Sequence, residues 1–532
     1  MFDKKFSRRN FIKMASLTAL AFAGTNFIGE EKISAAKNCT ARTRYGIYNG
    51  FVRGGVQTWL GIPYAKPPVG NLRWRAPEKL EPSSAEFDAK KLGFSPMQDI
   101  DETEPASLLP QSEDCLTLNI WTKNSAEKKP VMVFIPGGAF ISGGSGDPIY
   151  NGANFAAKND VVIVTINYRL NVFGFMNFSA VDSTFEDTGY LGIKDQIAAL
   201  EWVHENIENF GGDPDNVTIF GESAGAGSVM LLMILPEAKK FFGKAIAQSG
   251  HIAFYHEPQY SAAFAEEFMQ FGGYENMQQL LNAPAAALNE TYTKWSISRS
   301  FAADVDYLPT CDGKFLPKLP VRALKDGAAS GIKFLSGTNA DEYRYWSLYY
   351  ERILNILPDI HMKLSPIFYE EKVLEDEYKK IYAAWQKNHL DFPENERYLE
   401  FANQIDWHVP QELCAEYQSA FDESYFYLFD QKSPVKNLGA CHAIDLPFVF
   451  GNPSPKIEPK PSAKLVKQIQ ATWTAFATTG DPNNALIPPW KKYSAADRQT
   501  MKINSKAWTC QKDLNAQNFA ELRDTEENYL MN

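Results

Sequence analysis

Between residues 46 and 77 the chain reads GIYNGFVRGGVQTWLGIPYAKPPVGNLRWRAP, short apolar segments broken by Gly and Pro. Alternation at period two predicts half-buried strands, so an antiparallel sheet opens the fold and an extended, Pro-rich arm follows it. Further on the rhythm changes. PVMVFIPGGAF and DVVIVTINYR are continuous β-branched runs, the pattern of strands buried on both faces. GIKDQIAALEWVHENIENFGG instead spaces Ile197, Leu200, Val203 and Ile207 at helical intervals and stops at Gly211 and Gly212. NVTIFGESAGAGSVMLLMILP supplies a strand, a turn and a helix, and KAIAQSG and KFLSGTN read as two more short strands ending in polar loops.

Buried strands that alternate with helices predict an α/β fold with a large, mainly parallel central sheet and helices on both faces. Ligands in such folds collect beyond the carboxyl ends of the strands. Residues 255 to 410 depart from this rhythm and are helical and aromatic-rich. They read as helical insertions over the sheet, some forming a pocket wall or lid.

The 532 residues, 45% hydrophobic, can bury a large core. Six cysteines are too few for a disulfide scaffold and show no metal-ligand spacing, so neither a metal nor a cofactor is expected. A net charge of −11 without a basic stripe argues against a nucleic-acid partner. The first 36 residues resemble a twin-arginine export signal: Arg8 and Arg9, then an apolar run from Met14 to about Ile28, then small residues up to Ala36. Residues 37–532 are read as a single domain with no membrane span in the mature chain. The sequence leaves the oligomeric state open.

Ser223 stands between Gly221 and Gly225 at a strand-to-helix turn, the GxSxG arrangement that exposes a serine as a nucleophile. A hydroxyl needs a base, and the base needs an acid to orient it. Of seven histidines, His442 in LGACHAIDLPFVFG has the loop setting a base requires. Asp341 and Glu342 follow a buried strand, and either could orient the imidazole. Gly137, Gly138 and Ala139 after one strand, and Ala224 after the serine, offer N–H groups to an oxyanion. A base of this kind predicts a rate that rises with pH through an apparent pKa of about 6 to 7.

FGESAGAGS, SEDCLTLNIW, INYRLNVFGF, SGTNADEY, ACHAIDLPFVFG and WTAFATTGDPN together resemble the type-B carboxylesterases, a family that includes para-nitrobenzyl esterases and cholinesterases. The resemblance implies an α/β-hydrolase fold and a small-molecule ester substrate. It also implies a Ser223–His442–Glu342 triad and oxyanion donors at Gly138, Ala139 and Ala224. Three departures stand out: Ala139, Tyr343 and Ala443 occupy positions where the family usually has glycine. Cys115 matches a cysteine that the family pairs with an upstream one, which GFSPMQD does not contain. Two further functions compete with ester cleavage: silent binding on the same fold, and hydrolysis of amide, thioester or carbamate bonds.

Overall fold

The computed structural model describes residues 37–101, 104–123, 128–298, 307–348 and 375–531. The stretch read as an export signal, 1–36, lies outside them. The chain divides into a short unit, residues 1–38, and one large compact unit, residues 39–532.

The large unit is built on a 13-stranded sheet. In chain order its strands are β1 (Lys37–Thr43), β2 (Gly46–Arg53), β3 (Val56–Pro63), β4 (Glu86–Asp88), β5 (Thr117–Lys123), β6 (Lys129–Ile135) and β7 (Val162–Ile166), then β8 (Gly212–Glu222), β9 (Lys244–Gln248), β10 (Lys333–Asn339), β11 (Ser424–Phe429), β12 (Gln499–Ile503) and β13 (Trp508–Lys512). Their spatial order is β1-β2-β3-β5-β7-β6-β8-β9-β10-β11-β12-β13, with β4 beside β2. The strands from β7 through β12 pair in parallel. The β2–β3 pair is antiparallel, as the opening pattern predicts, and the β3–β5 and β5–β7 pairs continue the antiparallel edge beyond it. The sequence pattern does not predict β1, β4, β5, β11, β12 or β13.

The continuous apolar strands serve two cores at once. Along β6, Val131, Val133 and Ile135 point into one buried cluster while Met132 and Phe134 point into the other. β9 does the same, with Ala245 and Ala247 on one face and Ile246 on the other. Period-two alternation therefore persists in geometry where the sequence shows only a run of apolar residues. The helix Leu191–Asn206 continues through Ile207–Phe210 and stops at Gly211, whose φ is 82°, the first of the two glycines predicted to end it.

The chain passes from β6 to β7 on one side and returns to β8 on the other, so the order of strands reverses at β6. A crevice opens beyond the carboxyl ends at such a reversal. The segments singled out for chemistry follow β6, β8, β10 and β11. No helix among the described residues is long and apolar enough to cross a membrane. Cys115 forms no disulfide.

Candidate active site

Ser223 sits where β8 gives way to the helix Ala224–Ile234, with φ 57° and ψ −124°. Holding a residue with a side chain there costs about 1–3 kcal/mol. Two close approaches impose the turn. A Cβ on Gly225 would lie 2.0 Å from the Ile135 carbonyl oxygen of β6, and one on Gly221 would lie 2.5 Å from the Gly225 carbonyl. The first is a collision with a neighbouring strand; the second is with the helix's own first turn. The Ser223 N–H donates to the Gln248 carbonyl at 2.9 Å, and the Ser223 carbonyl accepts from Gly227 N–H at 3.0 Å. The hydroxyl is left at the partly exposed head of a helix, where developing negative charge is favoured.

His442 lies between β11 and the helix Leu446–Phe450. Its Nδ1 is 2.7 Å from Glu342 Oε2, and both side chains are buried. Glu342 is itself held, since Oε1 accepts from Asn339 N–H at 2.7 Å and its carbonyl accepts from His442 N–H at 3.2 Å. Asp341 is engaged elsewhere. Its Oδ2 accepts from Ala440 N–H at 2.7 Å, its N–H donates to the Ala440 carbonyl at 2.9 Å, and it pairs with Arg344 at 3.4 Å. Of the two acids left open by the sequence, Glu342 faces the imidazole and Asp341 ties the histidine loop to the end of β10.

The other imidazole nitrogen faces a residue the sequence reading passed over. His442 Nε2 is 3.1 Å from Glu222 Oε1, out of line for a direct hydrogen bond. Among the described residues no hydrogen bond joins Ser223 Oγ to His442. Glu222 lies inside the GxSxG motif, so its place beside the serine was visible; its reach to the imidazole was not.

Burial opposes charge on His442, but the carboxylates of Glu222, Glu342 and Asp445 outweigh it and lift the imidazole to about 9. Glu222 is pushed up to about 8, by burial first and then by Asp445, Glu342 and Glu104, against the pull of His442. Burial also raises Asp445 to about 6, although Gln248 Nε2 donates to it at 2.6 Å. The imidazole thus lies above the value of about 6 to 7 expected from sequence, because the flanking carboxylates come from three separate segments, the end of β8, the turn after β10 and the histidine loop.

The loop after β6 approaches the serine closely: a Cβ on Gly137 would lie 3.1 Å from Ser223 Cβ. Among the described residues the N–H groups of Gly138, Ala139 and Ala224 donate no hydrogen bond, while the Gly138 carbonyl is taken by Ile141 and Ser142 N–H at 2.9 Å each. Ala139 and Ala443, two of the three positions where the resemblance leads one to expect glycine, both have positive φ, 52° and 63°. Alanine there is strained by about 1 kcal/mol. Ala139→Gly is expected to raise Tm and to change kcat by less than about tenfold, because the N–H is kept. Ala139→Pro deletes that N–H and demands a negative φ, so severe loss of activity is expected. An active Ala139→Pro protein in a steady-state assay would remove Ala139 from the donor set.

Aromatic rings enclose the imidazole. Trp346 stacks on His442 at 5.5 Å and 28°, and Trp407 tilts against it at 4.5 Å. Trp407 is delivered by a single π-helical turn, Gln404–His408, a device that re-aims side chains within a helix. The remaining described histidines have other surroundings. His408 bonds the Asn339 carbonyl at 2.9 Å, His389 stacks on Trp385 at 3.9 Å, and His204 approaches the Pro214 carbonyl at 3.4 Å. His361 lies outside the described residues.

A mainly parallel sheet with a serine at a strained strand-to-helix turn, and a buried His–Glu pair delivered from the ends of later strands, defines an α/β-hydrolase. The carboxylesterase family matches residues 37–521. Para-nitrobenzyl esterase of Bacillus subtilis is 36% identical over 478 residues, covering 87% of this chain and 94% of its own. Fumonisin B1 esterase of Sphingopyxis macrogoltabida is 31% identical over 501 residues, 89% of each chain. A solved carboxylesterase of Geobacillus stearothermophilus superposes with a TM-score of 0.80 at 35% identity, covering 91% of this chain and 99% of that one. The chain belongs to the carboxylesterase family and is a carboxylic ester hydrolase.

Proposed function

We propose that this hydrolase cleaves carboxylic esters by acyl transfer through Ser223, with His442 as base and Glu342 as the acid that orients it. The contact that carries this reading is the buried 2.7 Å bond between His442 Nδ1 and Glu342 Oε2, with Nε2 lying 3.1 Å from Glu222, the residue beside the strained serine. Glu342 takes the Nδ1 proton as its hydrogen-bond partner, which leaves the Nε2 lone pair for the serine hydroxyl. Ser223 Oγ adds to the ester carbonyl as its proton passes to Nε2. The oxyanion so formed is held by the N–H groups of Gly138, Ala139 and Ala224. Collapse expels the alcohol, which takes the proton from Nε2, and water repeats the two steps on the acyl-enzyme. In the free protein Nε2 rests against Glu222, and its bond to Ser223 forms when substrate fills the site. We also propose export through the twin-arginine signal of residues 1–36, a reading supported by the family match beginning at residue 37.

Mixing the protein with excess p-nitrophenyl acetate is expected to release a burst approaching one p-nitrophenol per chain, with little turnover of the matching anilide. Because only neutral His442 accepts the proton, and its pKa is raised, the rate should climb with pH through a limb above the ordinary imidazole value of about 6.5. Glu222→Gln removes one of the charges that stabilise the imidazolium and should move that limb to lower pH by roughly one unit. No burst, together with no acetyl group trapped on Ser223 by rapid acid quench, would remove the acyl-enzyme; a limb that stays put in Glu222→Gln would remove Glu222 as its cause.

A further inference from the structure

Glu342 is held by residues of its own turn, and that turn is gripped from both sides by one stretch of helix. The π-helical turn Gln404–His408 joins the helix Glu394–Asn403 to the helix Val409–Ser419. On the side that precedes Glu342, His408 Nε2 lies 2.9 Å from the Asn339 carbonyl. On the side that follows, Asn403 Oδ1 accepts from Tyr343 N–H at 3.0 Å, and Asp406 accepts from Tyr343 Oη. Asn339, Asn403, Gln404 and His408 are all buried. The same turn carries Trp407, whose ring lies 4.5 Å from that of His442, so one helical turn contacts both partners of the His–Glu pair. Turns of this kind are frequent at functional sites.

The donors and acceptors of this cluster fix one another. A backbone carbonyl only accepts, so the ring proton of His408 sits on Nε2 and Nδ1 is left as an acceptor. Gln404 Nε2 lies 3.0 Å from that Nδ1 and 2.8 Å from Glu400 Oε1, so its two amide hydrogens serve both, while its Oε1 accepts from Asn515 Nδ2 at 2.8 Å. Turning the amide round would set its oxygen against the Glu400 carboxylate. His408 is thereby held in one tautomer and one ring orientation, its N–H aimed at the peptide between Asn339 and Ala340. That peptide is pinned from its other side too, where Ala340 N–H donates to the Phe429 carbonyl at 2.9 Å. Asn339 N–H in turn makes the 2.7 Å bond to Glu342 Oε1. A shift at Asn339 would carry that bond with it and draw Glu342 Oε2 away from His442 Nδ1, and small misplacements of reacting groups are costly in rate. Building on the acyl-transfer reading above, we infer that His408 and Asn403 are positioning residues that clamp the turn on both sides of Glu342 and so set the distance between acid and imidazole.

A pair of substitutions at His408 tests this. Glutamine places an N–H where the imidazole has Nε2, whereas asparagine reaches only as far as Nδ1. His408→Gln should keep the bond to Asn339 and hold kcat toward p-nitrophenyl acetate within about threefold, while His408→Asn should lose the bond and fall at least about tenfold with KM little changed. The pH profile gives a second reading. Glu342 is one of the carboxylates that raise His442, beside Glu222 and Asp445. When Glu342 slackens, the rising limb of the rate should move to lower pH in His408→Asn, by roughly half a unit or more, and return in His408→Gln. Asn403→Ala releases the other side of the clamp and should move kcat and the limb in the same directions; it supplies both readings if His408→Asn does not fold. A side chain that only fills space would lower Tm and leave the limb in place. An unmoved limb in folded His408→Asn or Asn403→Ala, or equal kcat in His408→Gln and His408→Asn, overturns the clamp alone while the wild type still gives its p-nitrophenol burst. A wild type that gives neither a burst nor an acetyl group trapped on Ser223 overturns the acyl-transfer reading and the clamp's role with it.

Discussion

Ser223→Ala is expected to lose at least about 10⁴-fold in kcat toward p-nitrophenyl acetate while folding normally, since removing a nucleophile leaves only binding and oxyanion stabilisation. Stability makes the test sharper. The serine occupies φ 57°, ψ −124°, and alanine keeps the Cβ that makes this conformation costly, so Ser223→Ala should melt close to wild type. Ser223→Gly removes the Cβ and should melt higher, by the Tm equivalent of about 1 kcal/mol or more, while being equally inactive. An elbow that stores strain to expose its hydroxyl trades stability for function in this way. A serine-directed phosphonate should label the wild type at Ser223 and neither variant. Residual turnover near the wild-type level, or labelling at another serine, would move the nucleophile elsewhere.

What could be read from the chain depended on how local each determinant is. β6, β7, β9 and β10 are apolar runs followed at once by Gly or polar loops, and each was legible as a strand. β11, SYFYLF, is equally apolar but follows a long aromatic-rich helical region from which pattern alone does not separate it. β12, QTMKI, has three polar residues in five, and its partner β13 is largely exposed, so neither carries the signature of a core strand. The serine elbow is specified within five residues, because Gly221 and Gly225 are required by contacts of 2.5 and 2.0 Å. His442 and Glu342 are 100 residues apart, and only the sheet brings them to 2.7 Å. The carboxylates that raise His442 arrive from the end of β8, the turn after β10 and the histidine loop itself, so the pKa could not be read from any one segment. Positive φ at Ala139 and Ala443 is likewise silent in the sequence, except as a departure from the glycine that the family resemblance leads one to expect.

Adjacent acids offer the second large effect. Glu342→Gln is expected to cut kcat by about 10⁴-fold, because an amide in place of the carboxylate can present its NH₂ to Nδ1 and turn the imidazole into the wrong tautomer. It also removes the charge that stabilises the imidazolium formed as Ser223 attacks. Asp341→Asn changes the neighbouring residue by the same single group, yet its carboxylate bonds Ala440 N–H and Arg344 rather than the imidazole. An asparagine oxygen can still accept from Ala440 N–H, so the loop that carries His442 should stay in place and kcat should fall by less than about tenfold. Loss of the pairing with partly buried Arg344 should instead show as a lower Tm, by the equivalent of about 1 kcal/mol or less. Comparing kcat and Tm for the two variants therefore separates the orienting acid from the tether. If Asp341→Asn were the slower enzyme, the 2.7 Å contact at Glu342 would be structural and the acid would have to be reassigned to Asp341.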